Sequence, residues 1–198
     1  MKTYHLLRHA QAVHTVLAKE MGSFIYTNPL YRDCSLTPRG VQECQTLQSE
    51  WKQRNEITLV VTSPLKRCLE TTYHLFSDVS VPILVMDECL EYPQGLHYSN
   101  KRSNLDELQL LYPTYCFDFI QFNYYPGWSI LYEESYDEAT ARLSHLDYFL
   151  QQQVDTNIAI VSDSYILNIL ENLVNPDNCL DITREREFGV SPILKILD

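Results

Sequence analysis

The chain has 198 residues, 45% of them hydrophobic and 21% charged, enough for one well-buried domain with no need of a second. Its net charge of −11 disfavours nucleic acid and anionic membrane as direct partners, and no apolar run approaches the ~20 residues of a membrane-spanning helix. Six cysteines, at 34, 44, 68, 89, 116 and 179, lack CxxC spacing, and the N-terminus lacks a basic-then-apolar leader. Reduced thiols in a cytoplasmic or nuclear compartment are therefore expected, rather than a disulfide framework or a zinc site.

Residues 4–7 form a short apolar run that reads as a first strand, with Arg8-His9 at its mouth. A guanidinium forks onto an oxyanion and an imidazole attacks phosphorus, so the pair suits phosphate; a strand end emerging into solvent is the plainer alternative. His5 reads as a packed strand residue, and His14 as a residue at the edge of any pocket there. Residues 12–34, with Gly22 and Pro29, look irregular and long for a loop, either a functional lip or an unmarked short helix. Leu36-Thr37-Pro38 opens a helix, Thr37 as cap and Pro38 in the first turn, with Val41, Cys44, Leu47 and Trp51 facing inward.

Residues 57–61 are a β-branched run suited to a buried parallel strand. Ser63 before Pro64 reads as the next helix start, which puts Arg67 in a first turn where free amides and the helix dipole favour an anion. A third strand is expected over 81–86, followed by Asp87, Glu88 and Glu91, at the strand end where α/β folds gather chemistry. Each of the three also fits a solvated loop acid. Residues 92–132 are an irregular insertion with a short helix over 105–111. Its aromatics, among them Tyr112, Tyr115, Phe117 and Trp128, suit a substrate wall, an interface or a minor core.

A helix over 135–152, with Ser135 and Glu138 as a capping box, precedes a strand over 157–161 that ends in Ser162-Asp163-Ser164. A helix over 165–173 and a last strand over 190–197 close the chain. Strands alternating with helices predict a single α/β domain over 1–198, a three-layer α/β/α sandwich with a mostly parallel sheet.

Arg8-His9-Ala10, Leu36-Thr37-Pro38-Arg39-Gly40 and the spacing of Ser63, Arg67 and Thr71 together resemble the histidine phosphatase superfamily, the phosphoglycerate-mutase-like fold. Arg-His-Ala-Gln followed by His14 most resembles its small fungal and plant branch. The resemblance implies phosphomonoester hydrolysis on a small phosphorylated substrate, without metal or cofactor. His9 would form a phosphohistidine, Arg8 and Arg67 would hold the phosphoryl oxygens, and Glu91 would protonate the leaving alcohol.

Two departures bear on the chemistry. Thr15 stands where the family usually has a phosphate-contacting asparagine, a mild change because a hydroxyl still donates. Asp163 stands where the family has a second histidine against the phosphoryl group, a severe one. Two unit charges ~4 Å apart interact by about 4 kcal/mol at an effective dielectric of 20, so repulsion in place of attraction costs roughly a thousandfold in rate or more. Three readings follow: a phosphatase weakened or altered by Asp163, a non-catalytic binding or scaffold protein, and a repurposed acid–base enzyme acting on an unphosphorylated substrate. Two alternatives to plain repulsion stand open: Asp163 pairs with Arg8 or Arg67, which would neutralise and occlude the pocket, or it is protonated beside a phosphate, which would raise its pKa.

Overall fold

A computed structural model describes residues 2–174 and 179–181, so the strand expected over 190–197 lies outside the described residues. Five parallel strands form one sheet: β1 (Thr3–Arg8), β2 (Leu59–Thr62), β3 (Ile83–Val85), β4 (Asn157–Ser162) and β5 (Cys179–Asp181), in the order β3-β2-β4-β1-β5. Their register decides where chemistry falls. Arg8 lies opposite Ser162, and Thr62 lies opposite both Val161 and Val85. The strands therefore end together, and the residues that follow them emerge side by side. The amides of His9 and Ser63 continue the ladder onto Ser162 O and Val161 O, both at 3.0 Å.

Parallel strands buried on both faces need helices on both. The strands' two side-chain parities enter separate cores. Tyr4, Leu6, Val61, Ile158 and Ile160 meet α6 (Tyr136–Gln152) and α7 (Ser164–Leu173). Leu7, Val60, Ala159 and Val161 meet α3 (Pro38–Glu50) and α4 (Lys66–Phe76) on the opposite face. This is the α/β/α sandwich that the alternation of elements predicted. The Ser135–Glu138 capping box and the Thr37 cap of α3, whose hydroxyl accepts from Gly40 N at 3.0 Å, also form as expected. His5 packs in the interior with its ring 5.6 Å from that of Trp51.

Several local expectations need correction. Of the two readings of residues 12–34 the helical one holds, with more helix than expected: α1 (Val13–Met21), α2 (Phe24–Thr27) and a 3₁₀ turn at Pro29–Tyr31. Helix α1 starts after Ala12 without any side-chain cap, so no local signal announces it. Helix α4 begins at Lys66, not at Ser63-Pro64, because its cap comes from far away in sequence. Asp33 Oδ1 accepts from Lys66 N at 2.8 Å and Oδ2 from Ser103 N at 2.7 Å. The third strand is three residues long rather than six, and β5 was not anticipated. Along the outer edge of β3 the insertion adds its own pairing, Val85 N to Cys116 O and Cys116 N to Ile83 O, both 2.9 Å. Helix α5 (Leu105–Leu111) has the expected bounds. Of the roles left open for the aromatics, Tyr115 and Phe117 take the minor core, packed with Leu69, Val85, Leu108 and Ile120.

Candidate active site

Two sequence motifs position the loop after β1. Gln11 O accepts from Thr37 N at 2.9 Å, and Gln11 Oε1 accepts from the Thr37 hydroxyl at 2.7 Å. Gly40 follows one turn on, where a Cβ would stand 2.2 Å from Gln11 O, so only glycine lets α3 approach this loop. The Ala10 amide donates to Thr71 Oγ1 at 3.1 Å, and that hydroxyl donates to Arg67 O at 2.7 Å. Thr71 thus ties the His9 loop to the same helix turn that carries Arg67.

At the shared strand ends the structure brings His9, Arg67 and Asp163 into direct contact. Asp163 Oδ1 lies 3.0 Å from His9 Nε2 and accepts from Arg67 Nε at 2.7 Å. The remaining edges of the guanidinium are also used, Nη1 on Ser99 O at 2.8 Å and Nη2 on Asn100 Oδ1 at 3.4 Å. All three residues are buried, none more than 6% exposed. Ser99 and Asn100 belong to the insertion, and nothing local in the sequence marks them as partners of a residue in α4. Glu91 emerges from the segment after β3, half-buried, with Oε1 accepting the Tyr92 amide at 2.8 Å. The Asp163 charge acts on its carboxyl. The Glu88 backbone carbonyl, with that of Leu90, accepts Arg142 Nη1, and Arg142 is paired with Glu134. Asp87 is engaged by Arg102. Of the three candidate acids, Glu91 alone faces Asp163 and Arg67.

Thr15 is not brought to this cluster through its hydroxyl, which donates to Ala12 O at 2.7 Å within the first turn of α1. Arg8 closes β1 and is half-buried, and its charge acts on His9 and His14. His14 is buried beside His9, ring centroids 6.2 Å apart, and belongs to a helix rather than a loop. Tyr26 and His97 continue the row: His14 to Tyr26 is 5.9 Å, and Tyr26 to His97 is 5.8 Å with the rings stacked. Tyr26 escaped the sequence reading because it lies in the stretch taken as irregular.

Electrostatics follow from burial and the cluster's own charges. Burial alone would raise the Asp163 carboxyl, but Arg67 and then His9 outweigh it and hold it well below the usual carboxylate range. Burial, and after it the Asp163 charge, pushes Glu91 well above that range. The two carboxyls are thereby pushed in opposite directions, the arrangement that separates a base from an acid. Burial lowers His9, with Asp163 acting in the opposite direction, and lowers His14 further, where Arg67 adds to the effect. His9 Nδ1 is 2.7 Å from Ala10 O and Nε2 is 3.0 Å from Asp163 Oδ1; both oxygens only accept, so the ring protonated on both nitrogens satisfies both contacts, while burial acts against its charge. Among the described residues no group of three or more His, Cys, Asp or Glu is placed to hold a metal ion, and no helix is long and apolar enough to cross a membrane. The six cysteines are unbridged.

The family model for the histidine phosphatase superfamily, branch 1, matches residues 4–175. A phosphoglycerate mutase-like protein of Arabidopsis thaliana is 28% identical over 96% of this chain and 81% of its own length. A second, phosphoglycerate mutase-like protein 1 of the same plant, is 28% identical over 89% of this chain and 74% of its own. Among solved structures, the alpha-ribazole phosphatase from Shigella flexneri aligns with a TM-score of 0.57 at 21% identity, covering 87% of this chain and 79% of that one. Mycobacterial glucosyl-3-phosphoglycerate phosphatase aligns with a TM-score of 0.53 at 16% identity, covering 85% and 76%. These structures share the α/β/α fold, and the chain belongs to branch 1 of the histidine phosphatase superfamily.

Proposed function

We propose that the chain is a phosphomonoesterase that works through His9 and is held to low turnover by Asp163. The observation that carries this reading is the position of Asp163 Oδ1, 3.0 Å from His9 Nε2 and 2.7 Å from Arg67 Nε. That is the place a phosphoryl oxygen would take between nucleophile and cation. The carboxylate acts as a tethered substitute for the substrate's own anion. In the neutral ring the Nε2 lone pair meets the carboxylate, and in the protonated ring Nε2–H donates to it. Neither state leaves Nε2 open to phosphorus until Asp163 moves.

Once it moves, the remaining groups suit transfer. The Nε2 lone pair attacks phosphorus, the P–O bond to the alcohol breaks, and Glu91 gives its proton to the departing oxygen. Water then attacks the phosphohistidine, the P–N bond breaks, and Glu91 recovers a proton as orthophosphate leaves. Throughout, Nδ1–H stays on Ala10 O, which fixes the ring and its tautomer. Arg8 and Arg67 supply the charge that a loose phosphoryl transition state needs. Thr15, its hydroxyl committed to Ala12, contributes to phosphate binding only if that bond is given up. The substrate on this reading is a small phosphorylated molecule. The saturation of Arg67 by Asp163, Ser99 and Asn100 favours a second reading, a non-catalytic protein that keeps the fold. A repurposed acid–base enzyme is the least supported, because both nitrogens of His9 already face oxygens.

Steady-state hydrolysis of p-nitrophenyl phosphate from pH 4 to 8 separates these readings. The expected result is a slow rate in the native chain that His9→Ala abolishes and Asp163→His raises roughly a thousandfold, from the charge reversal alone. A silent native chain with an active Asp163→His variant would establish the non-catalytic reading. Silence in both would remove phosphoryl transfer altogether.

A further inference from the structure

Resting on that reading, the structure says more about the group attached to the phosphate. The leaving oxygen must meet Glu91, so the substituent it carries passes the side chains around that carboxyl. On one side stands the row of rings that starts at His14. Tyr26 reaches the site through its edge-on contact with His14, whose ring stands beside that of His9, and its hydroxyl feels the charges of Arg8, Arg67 and Glu91. Tyr26 is stacked on His97 at an interplanar angle of 28°. The wall behind is built to stay in place: His97 O accepts from Trp128 Nε1 at 3.0 Å. Trp128 packs 4.9 Å from the Tyr98 ring and lies beneath Lys101 Nζ at 3.9 Å from its centroid.

On the other side Tyr165, in the first turn of α7 two residues after Asp163, is half exposed. Its ring meets Tyr92, the residue after Glu91, edge-on at 6.3 Å. Tyr92 in turn meets Tyr136 at 6.3 Å. The Glu133 carboxylate acts on both His97 and Tyr92, so its negative charge is felt at both ringed walls.

We infer that Tyr26 and Tyr165 form an aromatic clamp for the leaving group, and that the preferred substrates are aryl phosphomonoesters whose leaving group carries no second anion. Flat rings gain from offset or edge-on contact with both walls beyond the area they bury. A short alkyl group reaches neither wall, and a carboxylate or second phosphate meets Glu133 and the −11 chain.

The test uses non-hydrolysable probes, so that leaving-group reactivity plays no part. Phenylphosphonate, methylphosphonate and 2-phosphonoacetate are titrated calorimetrically into the full-length Asp163→Asn chain, in which the internal anion is discharged. Phenylphosphonate is expected to bind roughly tenfold tighter than methylphosphonate, the equivalent of one good aromatic contact. Phosphonoacetate is expected to bind more weakly than methylphosphonate. In the Tyr165→Leu and Tyr26→Leu derivatives, with folding checked by circular dichroism, the phenyl-to-methyl ratio is expected to fall toward unity. Equal affinities, or a ratio that survives both substitutions, would overturn the clamp while leaving the phosphate pocket standing. No binding of any phosphonate would instead overturn the pocket itself, and the clamp with it.

Discussion

Glu91 and Asp163 share one buried pocket, and Arg67 decides which of them keeps the proton. The guanidinium donates to Asp163 and holds its carboxyl well below the usual range; burial, and after it that charge, pushes Glu91 well above it. As general acid Glu91 is active below its raised folded-state value, so hydrolysis should decline as pH rises through that value. Glu91→Gln is expected to remove this alkaline decline and to lower kcat on phenyl phosphate by roughly 10²–10⁴. The loss on p-nitrophenyl phosphate should be smaller, because its leaving group departs more readily without a proton. Matched pH profiles of the two substrates check the assignment, and an unchanged alkaline limb in Glu91→Gln would place the acid elsewhere. The identity of Asp163, and its power to neutralise an arginine, were legible in the sequence. That it would take Arg67 and His9 with one oxygen was not, because that choice depends on strand register.

At the level of elements, the site is held by contacts between pieces distant in sequence. Gly40 admits the start of α3 against Gln11, and an alanine there would place a Cβ 2.2 Å from a carbonyl oxygen that cannot yield. Gly40→Ala should therefore destabilise by about 3 kcal/mol, the upper range for forced overpacking, read as a lower urea midpoint. Asp33 accepts two amides, one opening α4 and one in the insertion, from a backbone at φ 45° that aspartate and asparagine tolerate better than most residues. Asp33→Ala strands both buried amides and should cost roughly 2–5 kcal/mol. Asp33→Asn, keeping one acceptor and the same backbone preference, should cost clearly less. These contacts explain which elements the sequence announced. Helix α6 carries both halves of its cap within four residues and is readable in isolation. Helix α4 borrows its cap from 33 residues upstream, and α1 has none, so neither start is written locally.

Across the whole molecule, strands alternating with helices were enough to specify a parallel sheet between two helical layers, though not its β5 edge or the length of β3. Of the residues spaced after strand ends, the structure joins His9, Arg67 and Asp163 in direct contact. What the sequence left open was the covering of the site by the insertion, whose contacts on Arg67 come from the Ser99 carbonyl and the Asn100 side chain. The internal pairing of Arg67 also has a kinetic consequence. An arginine with its counter-ion already in contact projects little field beyond the mouth, and the chain around it is strongly negative. Incoming phosphates therefore meet no attractive funnel. Stopped-flow capture of phenylphosphonate by the native chain should hold steady or quicken between low ionic strength and ~0.3 M, as screening removes the repulsion. In Asp163→Asn, where the cation is uncovered, added salt should slow capture. A single carboxylate thus sets whether diffusion is guided to the site or has to find it unaided.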